Sequence, residues 1–374
     1  MFTKRGINME RQKDIISVGV DLHTTQFTVC ALVEGDLIIH EEVYPTTEEG
    51  YRSFIKWAHG AEEEYKYGVS IAIEATGNAR YFRNMMEHED FSVIVINTMK
   101  FKVIVASATK TDKRDAYTIA YFLGKDMLPE SHLCDQDTEE LRKLLSERSD
   151  LVSLMVKTKN KAHALLRGYG IQTTASQFQS KRSRQQLLKG LEDHPLYTKH
   201  AAATLTMLLN TLTTLSDEVK KYETLIDEFT LEDENVQLLK SIPGVGRITS
   251  ASISAYVGDI SRFETYKQFA AYCGLAPFVR LSNEGGYLGH ITKNGPTELR
   301  TNMVQVVMGM LRVQSKLAGV SLINDYKKMK KLKGSGKSII AFARKLSRII
   351  YVMLKSKTRF DATKLMRGVY DAAS

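Results

Sequence analysis

Ile15-Ile16-Ser17-Val18-Gly19-Val20-Asp21 is a β-branched run that closes on a carboxylate. Two runs of the same kind follow, Phe27 to Val33 and Leu37 to Val43, separated only by His23-Thr24-Thr25 and Glu34-Gly35-Asp36. Polar links this short allow little but consecutive hairpins, so the chain is expected to open with three antiparallel strands. A helix fits Thr47 to Trp57, a buried strand Val69 to Glu74, a helix from Asn78 and a strand Phe91 to Asn97, with helical segments beyond. Strands alternating with helices after a meander imply an α/β domain.

Carboxylates punctuate this domain. Asp21 stands at the end of the first strand and Glu74 at the end of the fourth, where a buried acid is costly unless it meets a cation. If those strands are neighbours, the two acids converge. Asp112 and Asp115 stand three apart at a helix start and project from one face. Four hard oxygen ligands suit a pair of Mg²⁺ ions, which can clamp the attacking and leaving oxygens of a phosphoryl transfer. Taken singly, Asp112 reads as an N-cap, Asp115 as a first-turn acid and Glu74 as a turn residue. Lys110, Lys113 and Arg114 beside them read as phosphate contacts, with salt-bridge partners as the alternative.

After Leu128 strand signals stop. Asp137 to Arg167 reads as one long helix, and Leu205, Leu208, Leu212, Leu215, Val219, Tyr222, Ile226 and Phe229 alternate spacings of three and four. Such a seam argues for a coiled coil, with a second copy of the chain or with the preceding helix. The acidic cluster from Asp227 to Glu234 marks a boundary. Three segments are therefore expected: a catalytic domain over 12–128, a helical linker with coiled coil over 129–235, and a mostly helical domain over 236–374.

Charge narrows the partner. Leu151 to Gly190 holds eight cations, among them Lys157, Lys159, Lys161 and Arg167, and no Asp or Glu. Tyr326 to Phe360 holds twelve, among them Lys327, Lys328, Lys330, Lys331 and Lys337, again with no acid. The whole chain carries +9, so the remainder is acidic. Long acid-free basic blocks favour a polyanion, and nucleic acid is the expected one. No apolar run is long enough to span a bilayer and no signal-peptide core opens the chain, so a cytoplasmic protein without membrane contact is expected. Cys30, Cys134 and Cys273 are far apart and read as structural thiols.

Two motifs mark the last segment. Ser241-Ile242-Pro243-Gly244-Val245-Gly246-Arg247 looks like a helix-hairpin-helix turn, in which Gly244, Gly246 and Arg247 could hold a DNA phosphate; a plain tight turn is the alternative. Cys273 to His290 is glycine-rich and polar, a long loop for a helical domain, and carries Ser282 and His290. Gly334-Ser335-Gly336-Lys337-Ser338 is not a phosphate-binding P-loop, because Lys331 stands where the first glycine belongs and no strand precedes it.

With these pieces in place the chain resembles the DEDD transposases of insertion-sequence family one-ten, the bridge-RNA-guided recombinases. The likeness rests on Gly19-Val20-Asp21, Ile73-Glu74-Ala75-Thr76-Gly77, Lys110-Thr111-Asp112 with Asp115, Ser241 to Gly246, Phe269-Ala270-Ala271, Gly274-Leu275-Ala276-Pro277 and the loop with Ser282. It implies an RNase H or RuvC-like first domain whose Asp21, Glu74, Asp112 and Asp115 bind Mg²⁺ at a two-metal site. It also implies that Ser282 attacks DNA to form a phosphoserine intermediate, that donor and target DNA are chosen by pairing with a structured bridge RNA, and that the chain forms a homodimer through its coiled coil and a tetramer. Asn283 stands where the family commonly has glycine after the serine. Ser250, Ser252 and Ser254 are lesser candidates for the nucleophile. The competing readings are a junction resolvase or nuclease that uses water, and an actin-like ATPase suggested by Gly19 to Thr25.

Overall fold

The computed structural model describes residues 15–104, 112–131, 134–191, 198–282, 285–317 and 321–363. Two compact units divide the chain, 1–133 and 134–374.

In the first unit the elements run β1 (Ile15–Leu22), β2 (Gln26–Val33), β3 (Leu37–Pro45), α1 (Glu48–Tyr65), β4 (Gly68–Glu74), α2 (Ala79–His88), β5 (Ser92–Ile96), α3 (Thr98–Ile104) and α4 (Asp112–Gly124). The sheet order is β3-β2-β1-β4-β5, antiparallel among the first three strands and parallel from β1 to β4 to β5. Helix α1 starts where the Thr47 hydroxyl accepts from the Gly50 amide, and it continues past Trp57 to Tyr65 because Ala58 and Ala61 keep its buried stripe going.

Alternation along the strands assigns the faces. Ile16, Val18, Val20 and Leu22 of β1 and Val69, Ile71 and Ile73 of β4 join the core under α1 and α2. At its centre Phe27 stacks on Tyr44 and Tyr51 at 5.4 and 5.2 Å and meets Phe54 and Phe82 edge-on. A period of two sends Gly19, Asp21, Ala72 and Glu74 to the opposite face. There α4 lies against the sheet through Ala116, Ile119 and Ala120, which pack on Cys30, Leu32, Ala72 and Ile96.

The second unit is built from α5 (Gln136–Gly168), α6 (Lys181–Lys189), α7 (Lys199–Phe229), α8 (Glu234–Lys240), α9 (Arg247–Val257), α10 (Tyr266–Tyr272), β6 (Pro277–Ser282), β7 (Gly285–Ile291), α11 (Thr297–Arg312), α12 (Ser321–Lys333) and α13 (Ser335–Ser356). Helices α5 and α7 form an antiparallel pair. Ala162 and Leu166 pack with Leu205, Leu209 and Leu212 at one end, and Leu141 and Leu145 with Ile226 at the other. The heptad seam is thus covered within the chain, the intramolecular of the two expected arrangements. Leu205, Leu212, Val219 and Ile226 are buried, while Phe229 stays exposed. Val236 of α8 and Ala251 and Ala255 of α9 share the cluster around Leu141, so the helical pair and the last segment meet in one core.

The stretch expected to be a loop from Cys273 to His290 is instead largely a two-stranded antiparallel ribbon, β6–β7. Its glycines suggested irregular backbone, but Phe278, Val279 and Leu281 supply strand residues. Gly334 alone, with φ of 77°, separates α12 from α13.

Candidate functional site

Val20 of β1 and Ile73 of β4 are Cα partners, and each is followed by an acid. Asp21 and Glu74 therefore leave adjacent strands side by side on the α4 face. Asp115 reaches the same place from the first turns of α4, and the three acids line one cavity of about 70 Å³ with Phe101, Lys102, Thr118 and Ile119. Asp21 is largely enclosed, with 15 % of its side chain accessible. Asp112 is the first residue of α4, one turn before Asp115; its side chain and that of Lys113 lie outside the described residues, as does Lys110 altogether.

Two further contacts fix this corner. The His23 ring nitrogen Nε2 stands 3.1 Å from Asp21 Oδ2. Asn78 Nδ2 donates to the His23 carbonyl at 2.9 Å, and Thr76 Oγ1 donates to Asn78 Oδ1 at 3.1 Å. The β1–β2 turn is thereby tied to the segment after Glu74. Sequence reading missed His23, Asn78 and Lys102 as parts of the site. Asn78 announced itself only as a helix start, and nothing in the spacing of Lys102 pointed to the acids.

Oxygen-only donors from three carboxylates are the chemistry that Mg²⁺ prefers, completed by water. Among the described residues no group of three His, Cys, Asp or Glu is already drawn together at metal-holding distances. The carboxylates fit the ion in kind.

In the second unit Ser282 ends β6 opposite Gly285, at the tip of the ribbon. Ser250, Ser252 and Ser254 sit inside α9, buried; Ser250 Oγ donates to the Arg247 carbonyl at 2.8 Å and Ser254 Oγ to Asp233 at 2.7 Å. The Gly244 turn joins α8 to α9 with φ of 85°. A Cβ on Gly244 would lie 2.4 Å from the Gly309 carbonyl carbon in α11, so its bare α-carbon serves close packing. Gly246 is the exposed N-cap of α9. Arg247 is held by Glu223, at 2.8 Å, and by Asp227.

The basic blocks differ in availability. Lys327, Lys328, Lys330, Lys331 and Lys337 are all exposed. In α5, Lys157, Lys161 and Arg167 are exposed and Lys159 half-buried. Arg184 is buried, 3 % accessible, and donates to the Phe178 carbonyl at 3.0 Å and to Thr213 Oγ1 at 2.7 Å. Burial lowers its guanidinium below the usual range. Lys181 is paired with Asp217 at 2.8 Å.

Known proteins place this combination in a class. A transposase family model matches residues 18–171, which include Asp21, Glu74, Asp112 and Asp115. A second, described as transposase of the IS116/IS110/IS902 family, matches residues 236–320, which include the Gly244 turn and the ribbon with Ser282. The chain carries the domains of a transposase. It belongs to the IS110 family of insertion-sequence transposases. It is 27 % identical over 95 % of its length to the transposase for insertion sequence element IS1111A of Coxiella burnetii, covering 93 % of that protein. A pilin gene-inverting protein of Moraxella bovis is 23 % identical over 92 % of this chain and 97 % of its own length. A probable family 20 transposase of Pseudomonas aeruginosa is 27 % identical over 65 % of this chain and 71 % of its own. The membership replaces the ATPase reading of Gly19 to Thr25. Among the described residues no helix is long and apolar enough to cross a membrane.

Proposed function

We propose that the chain cuts and rejoins DNA strands of an insertion sequence in a serine-dependent, metal-assisted reaction. The observation that carries this reading is the convergence of Asp21, Glu74 and Asp115 on one cavity; the sheet beneath it, ordered β3-β2-β1-β4-β5, is the basis for reading the domain as RNase H or RuvC-like. Asp21, Glu74, Asp115 and, one helical turn earlier, Asp112 would hold Mg²⁺, two ions in the fullest arrangement. Bound there, Mg²⁺ neutralises charge on the phosphate and on the leaving oxygen.

The chain's own residues do the rest. Ser282 Oγ attacks phosphorus, the bond from phosphorus to the deoxyribose oxygen breaks, and that oxygen takes up a proton as the serine gives one up. One phosphodiester replaces another, so the linkage is conserved. A hydroxyl of the second strand then attacks the phosphoserine and releases the serine. Lys113 and Arg114 contact phosphate near the acids, as would Lys110. Exposed lysines of α12 and the start of α13, with Lys157, Lys161 and Arg167 of α5, take the backbones of donor and target DNA and of a structured bridge RNA. The pilin gene-inverting relative fits a recombinase that rejoins what it cuts. Oligomers form through apolar residues left exposed on the helical pair, such as Met207, Leu225 and Phe229.

The experiment is a denaturing gel of labelled donor DNA with the chain, its element RNA and Mg²⁺, comparing wild type with Ser282→Ala and Asp112→Asn. A protein–DNA adduct in wild type and in neither variant is expected. Cleavage without adduct that survives Ser282→Ala would overturn the serine step and favour hydrolysis by water.

A further inference from the structure

A cavity of about 520 Å³ lies in the second unit, at the foot of the β6–β7 ribbon. That volume is within the range of sites that hold small organic ligands. Pro277 and Ile291, Cα partners at the open end of the ribbon, form one wall. Leu275, Leu322 and Ile349 are buried in its floor. Tyr266 of α10 presents a ring to it, with the Arg348 guanidinium 4.7 Å from the ring centroid. Lys337, Arg344 and Lys345 of α13 stand at the mouth. Among the described residues of the lining the one carboxylate, Asp325, is engaged by Lys345 at 2.6 Å.

An apolar slot with an aromatic wall and a cationic mouth selects a flat apolar body joined to an anion. We propose that this cavity takes one unstacked nucleotide of a bound nucleic-acid strand, its base against Tyr266 and its phosphate on Arg344 and Lys337. This inference rests on the proposed function, which supplies the strand. A side chain that stacks a base tolerates any sequence, because every base has a π-face. Holding the base outside the helical stack anchors the strand at one end of the ribbon. Ser282 stands at the other end, about 17 Å farther along at roughly 3.3 Å per strand residue. The cavity would then set the register in which backbone passes the serine.

The test is photocrosslinking of the full chain to a single-stranded oligodeoxynucleotide that carries one 5-iododeoxyuridine, with the crosslinked peptide mapped by mass spectrometry. The expected crosslink is on Tyr266. Ala341→Trp fills the slot, and should cut that crosslink by about tenfold, the scale of one lost base stack, while total strand binding stays within about threefold. Arg344→Glu, an exposed change that does not touch the core, should lower it by about fivefold through lost phosphate contact and decides the matter if Ala341→Trp fails to fold. Excess deoxyuridine monophosphate should not displace the crosslink at concentrations that leave the strand bound; if it does, the site takes a free nucleotide and the strand inference is wrong. Crosslinks confined to other surfaces, or a folded Ala341→Trp that crosslinks like wild type, would also overturn the inference while leaving the transposase reading intact. A wild-type chain that binds no strand would instead sink the proposed function on which this inference rests.

Discussion

Gly19 of β1 and Ala116 of α4 approach so closely that a Cβ on Gly19 would lie 2.1 Å from the Ala116 carbonyl oxygen. Any side chain there must push α4 off the sheet, and Asp115, the preceding residue, would move with it. Gly19→Ala is expected to cost the first unit ~1–3 kcal/mol, the usual scale of overpacking. The proposed metal-dependent cleavage should fall further than the unfolded fraction explains, because the acids separate. Urea unfolding beside a cleavage assay at a temperature where the variant is folded checks both. Full activity in a folded variant would show that α4 need not seat closely.

The acids that share the cavity make a second outcome testable without DNA. Without divalent metal, Asp115→Asn removes one like charge from the cavity, so its stability should hold or rise slightly, whereas Asp21→Asn also alters the contact with His23. Mg²⁺ should raise the melting temperature of wild type and fail to raise that of either variant, by the linkage of binding to folding. A thermal scan in EDTA and in Mg²⁺ reads this, and equal metal shifts in all three proteins would rule these acids out as ligands.

Gly244 and Gly309 touch backbone to backbone, with a Cβ on Gly309 only 2.2 Å from the Gly244 carbonyl oxygen. Gly309→Ala tests packing alone, and Gly244→Ala adds a positive φ. Both should destabilise the second unit by roughly 2 kcal/mol or more, the Gly244 variant by the larger amount. Chemical denaturation ranks them. A Gly244→Ala chain of native stability that binds DNA weakly would assign this glycine to phosphate rather than to packing.

Glu223 accepts from Arg148 Nη2 at 2.6 Å and faces Arg247 at 2.8 Å. Burial alone would raise its pKa, but the two guanidiniums outweigh it and hold the carboxyl below the usual range. A depressed folded value means stability that is fully present above the unfolded pKa, about 4.3, and is lost as pH falls through the folded one. Glu223→Gln should therefore destabilise at pH 7 by ~1–3 kcal/mol, the scale of hydrogen bonds to a charged group. The gap to wild type should narrow below about pH 4. Unfolding curves from pH 3 to 8 decide it, and a gap that does not change with pH would mean that the charge is not what Glu223 contributes.

The meander, the α/β character and the strand-end acids were legible because a period of two and a terminal carboxylate are local properties of Ile15 to Asp21 and Val69 to Glu74. Their pairing was not. Only the parallel register of Val20 with Ile73 puts Asp21 beside Glu74, and parallel neighbours are separated by a long crossover that leaves no local trace. Lys102 enters the cavity from α3 for the same reason. The ribbon at Ser282 was hidden because glycine is read as loop, although Gly285 and Gly286 are strand residues here. Arg184 was counted with the basic surface because linear charge says nothing about burial.

That last residue bears on how tightly the chain would grip a polyanion as ionic strength changes. Salt dependence counts the small ions set free when phosphates meet protein cations. Arg184 faces a carbonyl and a hydroxyl inside the free chain, so it has no phosphate to exchange for them. The logarithmic slope of affinity against salt should accordingly stand below what the basic blocks suggest when summed along the sequence. The exposed lysines between Lys327 and Lys337 would set most of it.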